Sequence, residues 1–228
     1  MSDTPESIMI FAAGFGTRMG HLTKNTPKSM IEVAGRPLLE HAISPAEDLG
    51  LNIVVNAHYH AAKVEAYLRG RTIKIVVEEP EILDTGGGLK NALPHLPGEA
   101  AFAMNSDAAW AGPNPLKILA DAWRPSKMDA LLLLVPLERT VGYTRPGSFE
   151  TDPTGRLIKS SRGDVYTGAQ IVKTAAFADM PNGAFSFWKL WNIWLERRTA
   201  YGVIYPGMWA DVGTPDGIGL AEDMLSYV

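Results

Sequence analysis

Five short apolar runs, at residues 8–13, 52–56, 73–77, 101–105 and 130–137, alternate with stretches of helical character at 37–49, 61–68, 88–93 and 115–123. A run that is apolar on both faces needs helices above and below it, so this alternation commits the chain to an α/β architecture. The expected sheet is Rossmann-like, mainly parallel but mixed, with helices on both faces. After residue 138 the rhythm loosens. Short extended pieces at 148–151, 156–160 and 168–173 lie among turn residues, and Asp152-Pro153-Thr154-Gly155 reads as a hairpin turn. Residues 138–175 are therefore expected to form a small inserted β region within a single domain spanning 1–228. A helix at 186–198, a strand at 201–205 and a helix at 215–227 complete the expectation.

The chain has 228 residues, enough to bury one sizeable core. No apolar run approaches the ~18 residues of a membrane span, so no membrane partner is expected. The residues ahead of position 8 are polar and acidic, without the basic start of a signal peptide, and a cytoplasmic location follows. The absence of cysteine removes disulfides, thiolate metal ligands and a cysteine nucleophile. A net charge of −4 argues against a nucleic-acid partner, because backbone phosphates call for a clustered basic face.

The chemistry concentrates where the first apolar run ends. Gly14-Phe15-Gly16-Thr17-Arg18-Met19, followed by Pro27-Lys28, places glycines at a strand end and brings two cations to the same loop. Glycine admits positive φ and lets backbone N–H groups approach an anion, so the loop suits a polyphosphate. It is not a Walker loop, which needs a Gly-Lys-Ser/Thr ending, nor a dinucleotide fingerprint, whose third glycine would fall at Met19. Asp107 follows the run at 101–105 and so stands at the C-terminal edge of a strand, where open α/β sheets bind ligands. Asp107 also reads as a turn former, and Asp211 precedes a segment in which Thr214 could cap a helix. Taken together, two carboxylates and phosphate oxygens make a ligand set for Mg²⁺. His58 and His60 lack a third ligand and read as a polar rim. Trp188, Trp191 and Trp194 read as one buried helix face, or as a homodimer contact where that face is exposed.

These motifs resemble the sugar-1-phosphate nucleotidyltransferase family. The match runs through Gly14-Phe15-Gly16-Thr17-Arg18-Met19, the stretch 26–39, Asp84-Thr85-Gly86-Gly87-Gly88, Asn105-Ser106-Asp107 and Trp209-Ala210-Asp211-Val212-Gly213-Thr214. The resemblance implies a GT-A-like fold and transfer of a nucleoside monophosphate from an NTP to a sugar 1-phosphate. It implies a nucleotide site made from Ala12, Ala13, Gly14, Gly16, Thr17, Arg18, Lys28, Glu79, Thr85, Gly86 and Asn105. Arg18 would meet the triphosphate, Lys28 the α-phosphate and Glu79 the base. Asp107 and Asp211 would hold Mg²⁺. Asn56, Gly88, Gly168 and Arg162 are placed at the sugar phosphate, with Arg145 and Lys159 as further candidates. Within the family the motifs are most similar to the N-acetylmuramate 1-phosphate uridylyltransferases of bacterial cell-wall recycling, which implies UTP. Mannose-1-phosphate guanylyltransferases share many of the same motifs. The chain departs from the family pattern at Gly20-His21, where a proline is usual, and the rigidity of the loop is the property at stake. A nucleotide-sugar sensor on the same fold would be marked by a missing aspartate or lysine, and all are present. A glycosyltransferase would carry an Asp-x-Asp motif, and position 109 is Ala109.

Overall fold

The computed structural model describes residues 4–227. A seven-stranded sheet runs through its centre, built from Ser7–Phe11 (β1), Asn52–Ala57 (β2), Ile73–Val77 (β3), Ala100–Asn105 (β4), Ala130–Val135 (β5), Val165–Lys173 (β6) and Ala200–Ile204 (β7). Their order across the sheet is β7-β5-β6-β4-β1-β2-β3. All neighbours pair in parallel except β6, which is antiparallel to both β4 and β5.

Alternation along the strands divides the core into two layers. Ile8, Ile10, Ile53, Val55, Phe102 and Met104 face one way. They pack under the helices Leu38–Asp48 (α1), Ala61–Leu68 (α2) and Pro115–Ala122 (α4). Met9, Val54, Ala101, Ala103, Leu132 and Leu134 face the other way, against Asp84–Ala92 (α3) and Trp188–Glu196 (α5). The helices thus cover both faces, as the alternation of the sequence requires. The last helix, Asp216–Ser226 (α6), packs instead on a small second sheet whose middle strand, Met208–Asp211, lies between Ala108–Ala111 and Thr140–Val141. No helix among the described residues is long and apolar enough to cross a membrane.

Three differences from the sequence reading have physical causes. Residues 165–173 belong to the central sheet, not to an inserted region. Their polar members disguise a buried strand: Gln170 is fully buried and accepts a hydrogen bond from Trp191 Nε1 at 3.0 Å. What remains as an insertion is the hairpin Phe149–Thr151 and Leu157–Lys159 around the Asp152 turn. Helix α3 starts at Asp84 rather than at 88, carrying three glycines that helix propensity disfavours. At α6 the helix begins after Pro215 with no side-chain cap, so Thr214 does not serve as one. Of the three tryptophans, Trp191 and Trp194 are buried in α5 while Trp188 is partly exposed and stacks under Lys159 Nζ.

Candidate active site

β1, β2 and β4 end side by side, and a cleft of about 260 Å³ opens at their C-terminal edge. The parallel strands bring Phe11, Asn56 and Asn105 into register there. Three segments then supply the walls: Ala12, Ala13 and Gly14 with Lys28 and Ser29, the pair Ser106 and Asp107, and Ile82, Asp84 and Thr85 at the start of α3.

The loop after β1 is fastened on both sides. Ala12 donates its N–H to Asn56 Oδ1 at 2.7 Å, and Ser106 Oγ donates to Phe11 O at 2.6 Å. Gly16 adopts φ 63°, and a Cβ there would meet Lys28 Cβ at 2.8 Å and Thr23 Cγ2 at 2.9 Å. Only glycine fits both the backbone and the space. The departure at Gly20-His21 is met by a different device from proline. Gly20 takes φ 58°, ψ −124°, a conformation open to glycine, and the Thr23 hydroxyl is shared between Gly16 O at 3.1 Å and Gly20 O at 3.2 Å. Tyr59 and His60 tie the same loop down through Lys24 O, while His58 hydrogen-bonds Glu78 O, so the histidines support the loops instead of lining the cleft.

The charged groups meet at one end. Lys28 Nζ lies 2.6 Å from Asp107 Oδ2. Asp107 O accepts from Val212 N at 3.0 Å, which sets Asp211 beside it. Asp211 is buried to 8% exposure, and burial, reinforced by the charge of Asp107, raises its carboxyl above the ordinary value, with Lys28, Arg145 and Arg18 pulling the other way. Arg145 Nη2 stands 3.5 Å from Asp211 Oδ2. The Arg18 guanidinium lies over Gly213, where a Cβ would come within 3.0 Å of Nη1. Three cations thus surround two carboxylates, one of which is short of compensation.

The opposite wall rests on a buried pair. Asn56 Nδ2 donates to Glu78 Oε1 at 2.7 Å, and Glu78 Oε2 accepts from Leu83 N at 2.7 Å. The glycines of α3 have packing duties. A Cβ on Gly86 would enter the Phe185 ring, one on Gly87 would strike Gly183 O, and one on Gly88 would lie 2.7 Å from Glu78 Oε1. Gly168, at φ 89°, marks the bulge in β6 and lets that strand approach the Asn105 side chain.

Of the residues singled out from sequence, Ala12, Ala13, Gly14, Lys28, Asn56, Thr85, Asn105 and Asp107 line the cleft, and Asp211 and Arg18 adjoin it. Gly16, Gly86, Gly88 and Gly168 shape it from behind. Thr17, Glu79 and Arg162 are exposed and outside the lining. Sequence reading passed over Glu78, Ser106 and Ser29. Ser29 is buried in the cleft wall, and its Oγ has no hydrogen-bond partner among the described residues.

The likeness to known proteins covers the same elements. A family model described as MobA-like NTP transferase domain matches residues 8–143, more than half of the chain. The N-acetylmuramate alpha-1-phosphate uridylyltransferase of Caulobacter vibrioides is 36% identical, spanning 99% of this chain and 99% of its own length. The enzyme of the same name from Neisseria meningitidis serogroup B is 28% identical over 90% of this chain and 92% of its own. Among solved structures, a putative glucose-1-phosphate thymidylyltransferase from Bacillus anthracis superposes with a TM-score of 0.80 at 16% identity, covering 97% of this chain and 96% of that one, a likeness of fold. The chain belongs to the MobA-like NTP transferase domain family and is an enzyme of the sugar-1-phosphate nucleotidyltransferase kind.

Proposed function

We propose that this enzyme transfers the uridylyl group of UTP to N-acetylmuramate 1-phosphate in a Mg²⁺-dependent reaction that releases pyrophosphate, in the cytoplasm and in the service of cell-wall recycling. The observation that carries the substrate choice is the full-length, 36% identical uridylyltransferase relative. The residues suit the chemistry. A sugar 1-phosphate is already anionic, so its oxygen can attack the α-phosphorus without a general base, and the protein's task is positioning and charge neutralisation. The bond formed joins the sugar phosphate oxygen to the α-phosphorus, and the bond broken is the one to the β-phosphate, which departs as pyrophosphate. The backbone at Ala12, Ala13 and Gly14 lines the place where phosphates would lie. Lys28 would transfer its charge from Asp107 to the α-phosphate, and Arg18 would take the leaving pyrophosphate. Ser29 and Asn105 line the same cleft and offer further polar contacts.

Mg²⁺ fits Asp107 and Asp211. Their charges repel each other, Asp211 is nearly out of water, and a cation would relieve both costs. Two carboxylates suit an ion that keeps waters and draws on substrate phosphates. When bound, Mg²⁺ supplies positive charge to the phosphate oxygens. The test incubates the enzyme and Mg²⁺ with each of UTP, GTP, CTP and dTTP against a panel of sugar 1-phosphates and measures pyrophosphate. UTP with N-acetylmuramate 1-phosphate should give the highest kcat/KM. A signal with GTP and mannose 1-phosphate alone would overturn the assignment.

A further inference from the structure

β5 and β7 begin at the sheet edge opposite the cleft, and a second cavity of about 530 Å³ lies there. Its lining includes Lys127, Arg156, Arg197 and Arg198, four cations, and no carboxylate. In a chain of net charge −4 such a concentration needs a reason. Arginines at a helix C-terminus are ordinary, and Arg197 and Arg198 follow α5. Lys127 and Arg156 come from two other segments, and the helix does not account for them.

The cavity wall is built, not draped. The hairpin turn is pinned to β7, with Gly202 N donating to Gly155 O at 3.0 Å. Arg156 donates Nε to Arg198 O at 3.1 Å and Nη1 to Thr154 Oγ1 at 2.6 Å, with its guanidinium 5.4 Å over the Tyr201 ring. Those three contacts fix the guanidinium plane and leave Nη2 unengaged by the protein. Asp152, in the same hairpin turn, is a carboxylate that is already committed. Oδ1 accepts from Thr154 N, Thr154 Oγ1 and Arg156 N, while Oδ2 takes Arg198 at 3.0 Å. Lys127 and Arg197 have no ion pair among the described residues. Arg198 holds φ 57°, the left-handed position after a helix that glycine usually fills. The Thr199 hydroxyl, on a residue of the lining, is buried and has no hydrogen-bond partner among the described residues. The free Nη2 of Arg156 and the two cations without ion pairs come from three segments to one cavity, and an anion there would meet charge-assisted donors from each of them.

We infer that this cavity is a second anion site, which takes the phosphate or diphosphate group of a small phosphorylated molecule. It shares no lining residue with the nucleotidyl-transfer cleft and lies at the other end of the strands. Its volume falls in the range of small-molecule sites.

The test titrates ¹⁵N-labelled full-length protein at constant ionic strength with inorganic pyrophosphate, and in separate arms with UDP and with glucose 1-phosphate. Amide signals of Thr154, Arg198, Thr199 and Tyr201 should shift and saturate with at least one of these, on a curve distinct from that of Gly14 and Asn105. The arm that saturates at the lowest concentration identifies the source as inorganic diphosphate, nucleotide or sugar phosphate. The double variant Lys127→Gln/Arg197→Gln changes two exposed side chains and should weaken binding at the cavity about tenfold or more, leaving the cleft signals and Tm unchanged. Shifts confined to the cleft in every arm, shifts reproduced by chloride, or a double variant that binds like the parent would each overturn the proposal.

Discussion

Two glycine-rich motifs face each other across the cleft, and they owe their glycines to different needs. In the loop after β1, Gly14 lines the cavity, and a Cβ built on it would meet nothing within 4 Å. The protein leaves that space open on the ligand side. In α3, by contrast, Cβ atoms on Gly86, Gly87 and Gly88 would collide with Phe185, Gly183 and Glu78 in turn. There the glycines let a helix settle against its own protein. The same letter in the sequence marks room for a substrate on one wall and room for a neighbour on the other, and only the partners across each gap tell them apart.

That contrast can be broken by measurement. The largest effect should come from the charges beside the open motif: Lys28→Ala and Asp107→Asn should each lower kcat by about 10²-fold or more, the scale for one preorganised charge-stabilising group. Since this ion pair is partly exposed, chemical denaturation should show a stability change below about 1 kcal/mol. Gly87→Ala should behave in the opposite way, with a loss of about 1–3 kcal/mol in urea unfolding, as expected for overpacking against backbone. Gly14→Ala should leave stability within about 0.5 kcal/mol of the parent and reduce kcat/KM about tenfold, or 1.4 kcal/mol in barrier. A Gly14→Ala protein that is unstable yet fully active would erase the distinction between the two walls.

The smallest effect concerns Asp211. Its carboxyl is raised above the ordinary 3.8 by burial and by Asp107, so the folded state holds the proton more tightly than the unfolded chain. The favourable contribution is complete below pH 3.8 and is lost as pH rises through the folded value. In metal-free buffer Asp211→Asn should therefore be more stable than the parent at pH 7, the advantage fading as pH falls towards 3.8. Thermal melts at several pH values would read this directly, and an advantage that grew towards acid would reverse the sign.

The strands were legible because their apolar residues are contiguous, although the run at 130–137 extends past Pro136, which ends β5 at Val135 by withholding an N–H. β6 was harder, since Tyr166, Thr167, Gly168 and Gln170 interrupt it and their burial depends on Trp191 and Leu133, far away in the chain. At the site, Lys28 and Asp107 could be placed at the cleft from residue type and position. Glu78 and Glu79 could not be ranked by that means. Both lie just past the end of β3, where no strand alternation assigns them a face, and the partner that decides which is buried, Asn56, lies 22 positions earlier. Thr23 was invisible for a related reason: its worth is a hydroxyl aimed at Gly16 O and Gly20 O, and only the folded loop provides those targets.

Asn56 joins the two walls that the glycines distinguish. Its carbonyl oxygen holds Ala12 of the loop after β1, and its amide nitrogen holds Glu78, which in turn fastens Leu83 just ahead of α3. The side chain works as a gauge block, one planar amide long, and the gap between the walls is a dimension cut by covalent geometry. An aspartate has the same length but only one kind of end, and it would push against Glu78 where the amide pulls. The width of the cleft floor is then a machining tolerance, set by one side chain rather than by either wall alone.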